Sequence, residues 1–142
     1  MAPTTSSNTT APVRSTAANV YGSTVDGGAN GQGTVFKITP DGTLTTLYNF
    51  TGGTDGGSPE GDMLSAGKNL YSVASEGGDP GCQCGVIYEV TSKGKEKVLH
   101  AFQGSDGAGY SAGLTMRKSL FYGTTASGGA SGNGVVFSVT KK

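Results

Sequence analysis

Residues 19–50 read NVYGSTVDGGANGQGTVFKITPDGTLTTLYNF, and most of the remaining chain is this unit again. Tyr21, Tyr71 and Tyr122 head one pattern: an apolar residue and Tyr, a small polar run, Gly-Gly, a Gly-rich loop, then Gly and strand-favouring residues. Tyr21 to Tyr71 is 50 residues and Tyr71 to Tyr122 is 51. A period of that length signals a propeller, solenoid or array and constrains the whole fold.

Within each repeat, Tyr, Val, Phe, Ile and Thr cluster in short runs bounded by Gly, Pro, Asp and Asn, which predicts strands. The first repeat predicts strands over 12–16, 19–24, 33–39 and 44–50. The second predicts 62–66, 69–75, 85–91 and 97–102, and the third 113–117, 120–126 and 135–141. Pro40-Asp41-Gly42 and Ser92-Lys93-Gly94 are tight turns, because Pro presets φ and Gly accepts φ > 0. The eleven strands form antiparallel meanders, so the expected class is all-β: a β-propeller-type repeat with four-stranded blades over 11–50, 62–102 and 113–142. The third blade lacks its fourth strand. Three blades are fewer than the usual four to eight, so closure as a six-bladed homodimer is the favoured expectation, a partial propeller cut from a longer protein the alternative. Residues 1–10 carry no periodic apolar positions and read as a flexible arm ahead of a single domain, 11–142.

Composition limits the partners. The chain has 142 residues, with ten basic and ten acidic side chains, and charged residues make up 14% of it. No overall field exists to recruit nucleic acid. No apolar run approaches the ~18–20 residues that span a bilayer. Only 34% of residues are hydrophobic and 26 are Gly, so the core must come from strands joined by Gly-rich loops. Ser, Thr, Gly and Asn richness and two N-x-Ser/Thr sites, at Asn8 and Asn49, suit an extracytoplasmic protein whose leader lies outside this sequence.

The segments NVYGST, NLYSVAS and LFYGTT, together with GGANGQGTVFKITPDGTLTTLYNF, resemble the GloVer tandem repeats of bacterial secreted and surface-anchored proteins. The resemblance covers nearly everything after residue 10. It implies a propeller-like β architecture and an extracytoplasmic location, and it carries no catalytic residues to transfer. The second repeat departs from the pattern: DPGCQCG replaces ANGQG and adds two residues and two cysteines.

In a meander, successive connections alternate between the two ends of the sheet. The Gly-rich loops and the long connections 51–61 and 103–112 therefore share one end, and the tight turns share the other. The long-loop end collects Asp26, Asp55, Glu60, Asp62, Glu76, Asp79 and Asp106; the turn end is basic. Carboxylates converging with loop carbonyls are the oxygen ligands calcium prefers, which makes Asp26, Glu76, Asp79 and Asp106 the candidate metal ligands. Glu60 and Tyr110 are candidate binding residues, and Tyr110 and Phe102 would suit sugar stacking. Cys82 and Cys84 can be bridged, free or half of a soft-metal site. An extended i, i+2 pair has Cα atoms about 6.5–7 Å apart, so a bridge, the expected state, requires a bend. Gly109-Tyr110-Ser111-Ala112-Gly113 fits G-x-S-x-G beside His100 and Asp106, but that motif needs a strand-to-helix turn, and His100 stands where the first repeat has Tyr48.

Two function classes follow. One is calcium-assisted hydrolysis of a small lactone or ester at the acidic face, by analogy with calcium-dependent propeller lactonases. The other is a non-catalytic extracytoplasmic module that binds glycans or proteins or spaces a surface array.

Overall fold

The computed structural model describes residues 14–16 and 19–141. The expected N-terminal arm and Asn8 lie outside them. Three antiparallel sheets are present. The first holds β1 (Arg14–Thr16), β2 (Asn19–Thr24), β3 (Thr34–Ile38) and β4 (Leu44–Asn49) in sequence order. The second repeats it with β5 (Leu64–Ala66), β6 (Asn69–Ala74), β7 (Val86–Thr91) and β8 (Glu96–Ala101). Among the described residues the third has three strands, β9 (Thr115–Arg117), β10 (Leu120–Thr124) and β11 (Val136–Thr140). All-β meanders of one recurring unit are thus what the periodicity predicts. The described residues contain no helix long and apolar enough to cross a membrane, which leaves membrane-crossing strands unaddressed.

Several strands are shorter than expected, for a backbone reason. Gly33 and Gly85 have φ of 96° and 99°, a conformation outside the β region, so β3 and β7 begin one residue after where β propensity alone starts them; β11 also begins one residue late. Long-loop connections likewise take up 62–63 and 113–114 before β5 and β9. At the opposite end the P-D-G turn forms as read: Gly42 has φ 87° and donates to the Thr39 carbonyl at 2.9 Å, while Asp41 accepts the Thr43 N–H at 3.1 Å.

The apolar residues sit between sheets, and alternation along each strand decides which side they serve. In β7, Val86, Tyr88 and Val90 join Tyr21 and Val35 of the first sheet and Phe50 just after it, whereas Ile87 turns the other way to Phe121 of the third sheet and Leu114 just before it. The middle sheet is buried on both faces, and for that reason VIYEV reads as a nearly continuous apolar run. Each fully buried side chain of this size contributes about 1.5–3 kcal/mol. Edge-on aromatic pairs tie the layers: Phe50 meets Tyr88 at 5.0 Å, and Phe102 meets Phe137 at 5.2 Å. Phe102 is 1% exposed, which corrects its expected role in sugar stacking: its ring fills the core.

Candidate functional site

The three Gly-rich loops share one backbone frame. Each closes on itself through a parallel bridge: Gly27 with Gln32, Gly77 with Cys84, Gly128 with Asn133. The N–H groups of Gly33, Gly85 and Gly134 donate back to the carbonyls of Gly27, Gly77 and Gly128 at 3.0, 3.0 and 2.9 Å. The long connections then knit neighbouring loops together. Gly57 and Glu76 exchange both backbone hydrogen bonds, at 3.0 and 3.1 Å, while Ser58 N–H reaches the Gln32 carbonyl at 2.9 Å. One repeat later, Ala108 and Ser127 exchange theirs at 3.0 and 3.2 Å, and Gly109 N–H reaches Cys84 at 3.1 Å. The loop end is therefore a bonded rim. Backbone demands glycine at Gly85, where a Cβ would lie 2.5 Å from the Ala74 carbonyl oxygen.

Three of the carboxylates of this rim, Asp55, Asp79 and Asp106, bond to it. Asp55 accepts the Tyr48 hydroxyl and the Thr51 N–H, each at 2.9 Å, and the Thr51 hydroxyl as well. Asp106 does the same work in the second repeat, accepting the Gln103 N–H at 2.8 Å and meeting His100 Nε2 at 2.7 Å. Tyr48 and His100 both stand edge-on to the following Phe, at 5.2 and 5.1 Å. The His100–Asp106 pair is thus the counterpart of Tyr48–Asp55: a clamp on the connection. Burial raises the Asp106 carboxyl, but its hydrogen bonds from Gln103 and His100 outweigh that and hold it below the ordinary carboxylate range. Burial first, and then the bond to Asp55, push the Tyr48 phenol well up.

The other expected site residues are dispersed. Asp79 accepts the Gly81 N–H at 2.6 Å, and its own carbonyl takes Cys82 and Gln83 N–H groups. Asp26 and Glu76 are exposed, at matching positions of separate loops. Glu60 lies half-buried on the first long connection, and Tyr110 on the second, 51% exposed with its carbonyl bonded to Ala126 N–H at 2.9 Å. Among the described residues, no three or more His, Cys, Asp or Glu side chains stand together as a metal-holding group, so Asp26, Glu76, Asp79 and Asp106 are not brought together as one. A cleft at this end, of about 100 Å³, is lined by Gly52, Gly53, Thr54, Gly78, Pro80 and Gln83, without a carboxylate.

Cys82 and Cys84 are bonded, with Cα atoms 5.2 Å apart; Gln83, at φ 51°, supplies the bend that an extended pair lacks. Cys82 also takes over a repeat position, since its Sγ faces the Phe102 carbonyl at 3.5 Å where Asn30 Nδ2 donates to Phe50 at 3.0 Å. Ser111 is 2% exposed, and its Oγ accepts the Gly113 N–H at 3.4 Å; His100 Nε2 is directed to Asp106. No helix follows Ser111, so the nucleophile-elbow geometry is not formed.

Sheets of one recurring unit, packed face to face and laced by their own loop backbones, define an all-β repeat protein. The chain belongs to the Gloeobacter/Verrucomicrobia repeat family, whose model matches residues 2–142. No curated protein and no solved structure matches it.

Proposed function

We propose that the chain is a non-catalytic, propeller-type structural module that associates with a second copy of itself through the open face of its third sheet. One observation carries this reading. Val136 is 82% exposed and Tyr122 39%, although they occupy the repeat positions at which Ile87 and Tyr71 are 0% exposed between the second and third sheets. The third sheet thus presents outward the positions that the fold elsewhere covers with another sheet, and a copy continues an interface already built twice. Two features support propeller geometry: the leading segments of the second and third repeats run parallel where Asp62 bridges Gly113, and β1 lies beside β5. The Cys82–Cys84 bond supports an extracytoplasmic location, since such bonds persist in oxidising compartments.

Light scattering over a concentration series tests the association. A dimer is expected, dissociating in Val136→Lys, whose fold should be unchanged because the side chain is already exposed. A wild-type chain that stays monomeric throughout overturns the proposal. Calcium-assisted hydrolysis at the rim is the competing reading; turnover of an acyl lactone or aryl ester that EDTA abolishes would replace the structural reading with it.

A further inference from the structure

At the tight-turn end, between the first and second sheets, lies a cavity of about 450 Å³. Its polar lining is Asn19, Tyr21, Lys37, Ser65, Lys68 and Ser92, two cations with four neutral hydrogen-bonding groups and no carboxylate. No ion pair engages either lysine among the described residues. Within the first sheet Tyr21 is the register partner of Lys37, so the two share one row.

The same place in the next repeat is lined differently, and the comparison shows what is particular to the first. Lys37 corresponds to Glu89, a carboxylate that accepts from Asn69 Nδ2 at 3.0 Å, so that position carries the opposite charge. Ser65 corresponds to Met116, packed into the core between the second and third sheets. Ser92 corresponds to Lys141, whose ammonium lies 5.5 Å from the centre of the Tyr71 ring and covers it. The correspondence is a backbone one as well: Ser92 N–H donates to the Lys68 carbonyl at 3.3 Å just as Lys141 N–H donates to Ser119 at 2.8 Å. Where the second site engages Glu89 and Lys141 with Asn69 and Tyr71, the first has Asn19 Nδ2 at 3.5 Å from the Tyr21 hydroxyl and keeps both lysines outside any ion pair among the described residues.

We infer that this cavity binds a small hydroxylated carboxylate, of the class of a sugar acid. The lysines match one carboxylate, whose charge-assisted hydrogen bonds are the strong ones. Asn19, Tyr21, Ser65 and Ser92 suit the hydroxyls of the same molecule, and the volume is in the range of small-ligand sites. The site lies between sheets of one chain and does not depend on association through the third.

Amide NMR titration of the whole chain with glucuronate, with glucose and inorganic phosphate as the parallel arms, tests it. Glucuronate is expected to shift the amides of Asn19, Ser65, Lys68 and Ser92, glucose to leave them in place, and phosphate to act more weakly than glucuronate. Lys37→Glu, which installs the residue of the next repeat, and Lys68→Ser should each weaken glucuronate binding about tenfold, the loss of roughly one charge-assisted contact. Arg117→Glu, the same charge change away from the cavity, should leave the Kd unchanged. Three results would each overturn the inference: no shifts at the cavity amides, phosphate binding as tightly as glucuronate, or equal weakening by Arg117→Glu.

Discussion

Replacing Glu96 with Gln should stabilise the protein at neutral pH and remove a pH dependence that the wild type carries. Glu96 opens β8, and its Oε1 is buried without a hydrogen-bond partner among the described residues. Burial, and then the Asp55 carboxylate, push its carboxyl from the ordinary 4.5 up to about 7. The folded state therefore binds this proton more tightly than the unfolded chain does. Stability from this group is full below the unfolded value, falls as pH rises from about 4.5 to 7, and is constant above. At about 1.4 kcal/mol per tenfold change in proton affinity, a fully sequestered group would cost ~3 kcal/mol. Glu96 keeps part of its surface in water, so screening brings the expected cost to about 1–2 kcal/mol. A neutral amide escapes it. Thermal melts at pH 4 and pH 8 should then give equal midpoints for Glu96→Gln and wild type in acid, and a variant roughly 3–8 °C more stable in mild base. A variant no more stable than wild type at pH 8, or one equally stabilised at both pH values, would refute the assignment of the penalty to a buried charge.

Two further outcomes follow from the rim. Gly85→Ala must place a Cβ 2.5 Å from the Ala74 carbonyl oxygen at φ 99°, whereas Gly31→Ala, at φ 74°, meets nothing within 4 Å. Urea unfolding should show a loss of about 2–4 kcal/mol for the first and ~1 kcal/mol for the second, and equal losses would mean that the close approach is not what requires glycine. Because the rim carboxylates do not converge among the described residues, adding Ca²⁺ is expected to leave the Tm unchanged; a rise of several degrees would show a site and restore the calcium reading.

Strand identity and order were legible in the chain because one pattern occurs three times, and each copy corroborates the others. The tight turns were legible because Pro40-Asp41-Gly42 has few other conformations. Residue type did not disclose role. Of the acidic residues at the loop end, Asp55 and Asp106 bond to backbone N–H groups and to Tyr48 and His100, which a carboxylate's position in the chain does not announce. A gapped alignment holds the signal: Tyr48 precedes Asp55 as His100 precedes Asp106, one residue closer. Phe102 looked available beside a loop, but strand alternation turns it into the core. Lys37 drew no notice, because nothing in a single strand says that its register partners leave it facing a cavity.

By itself, the amino-acid sequence determined the repeat, the all-β class, the strand order and the turns. Those depend on backbone propensity and on contacts within about 30 residues, which recur wherever the pattern recurs. Tertiary structure alone decided which faces are covered, which acids bond to the rim, and that the first wedge between sheets is lined by two lysines without a carboxylate while Glu89 stands at the corresponding place of the next. Such properties belong to pairs of residues from different repeats, here Tyr21 with Lys68, or Tyr71 with Lys141. Their separation in space is set by packing, and a linear pattern does not encode it.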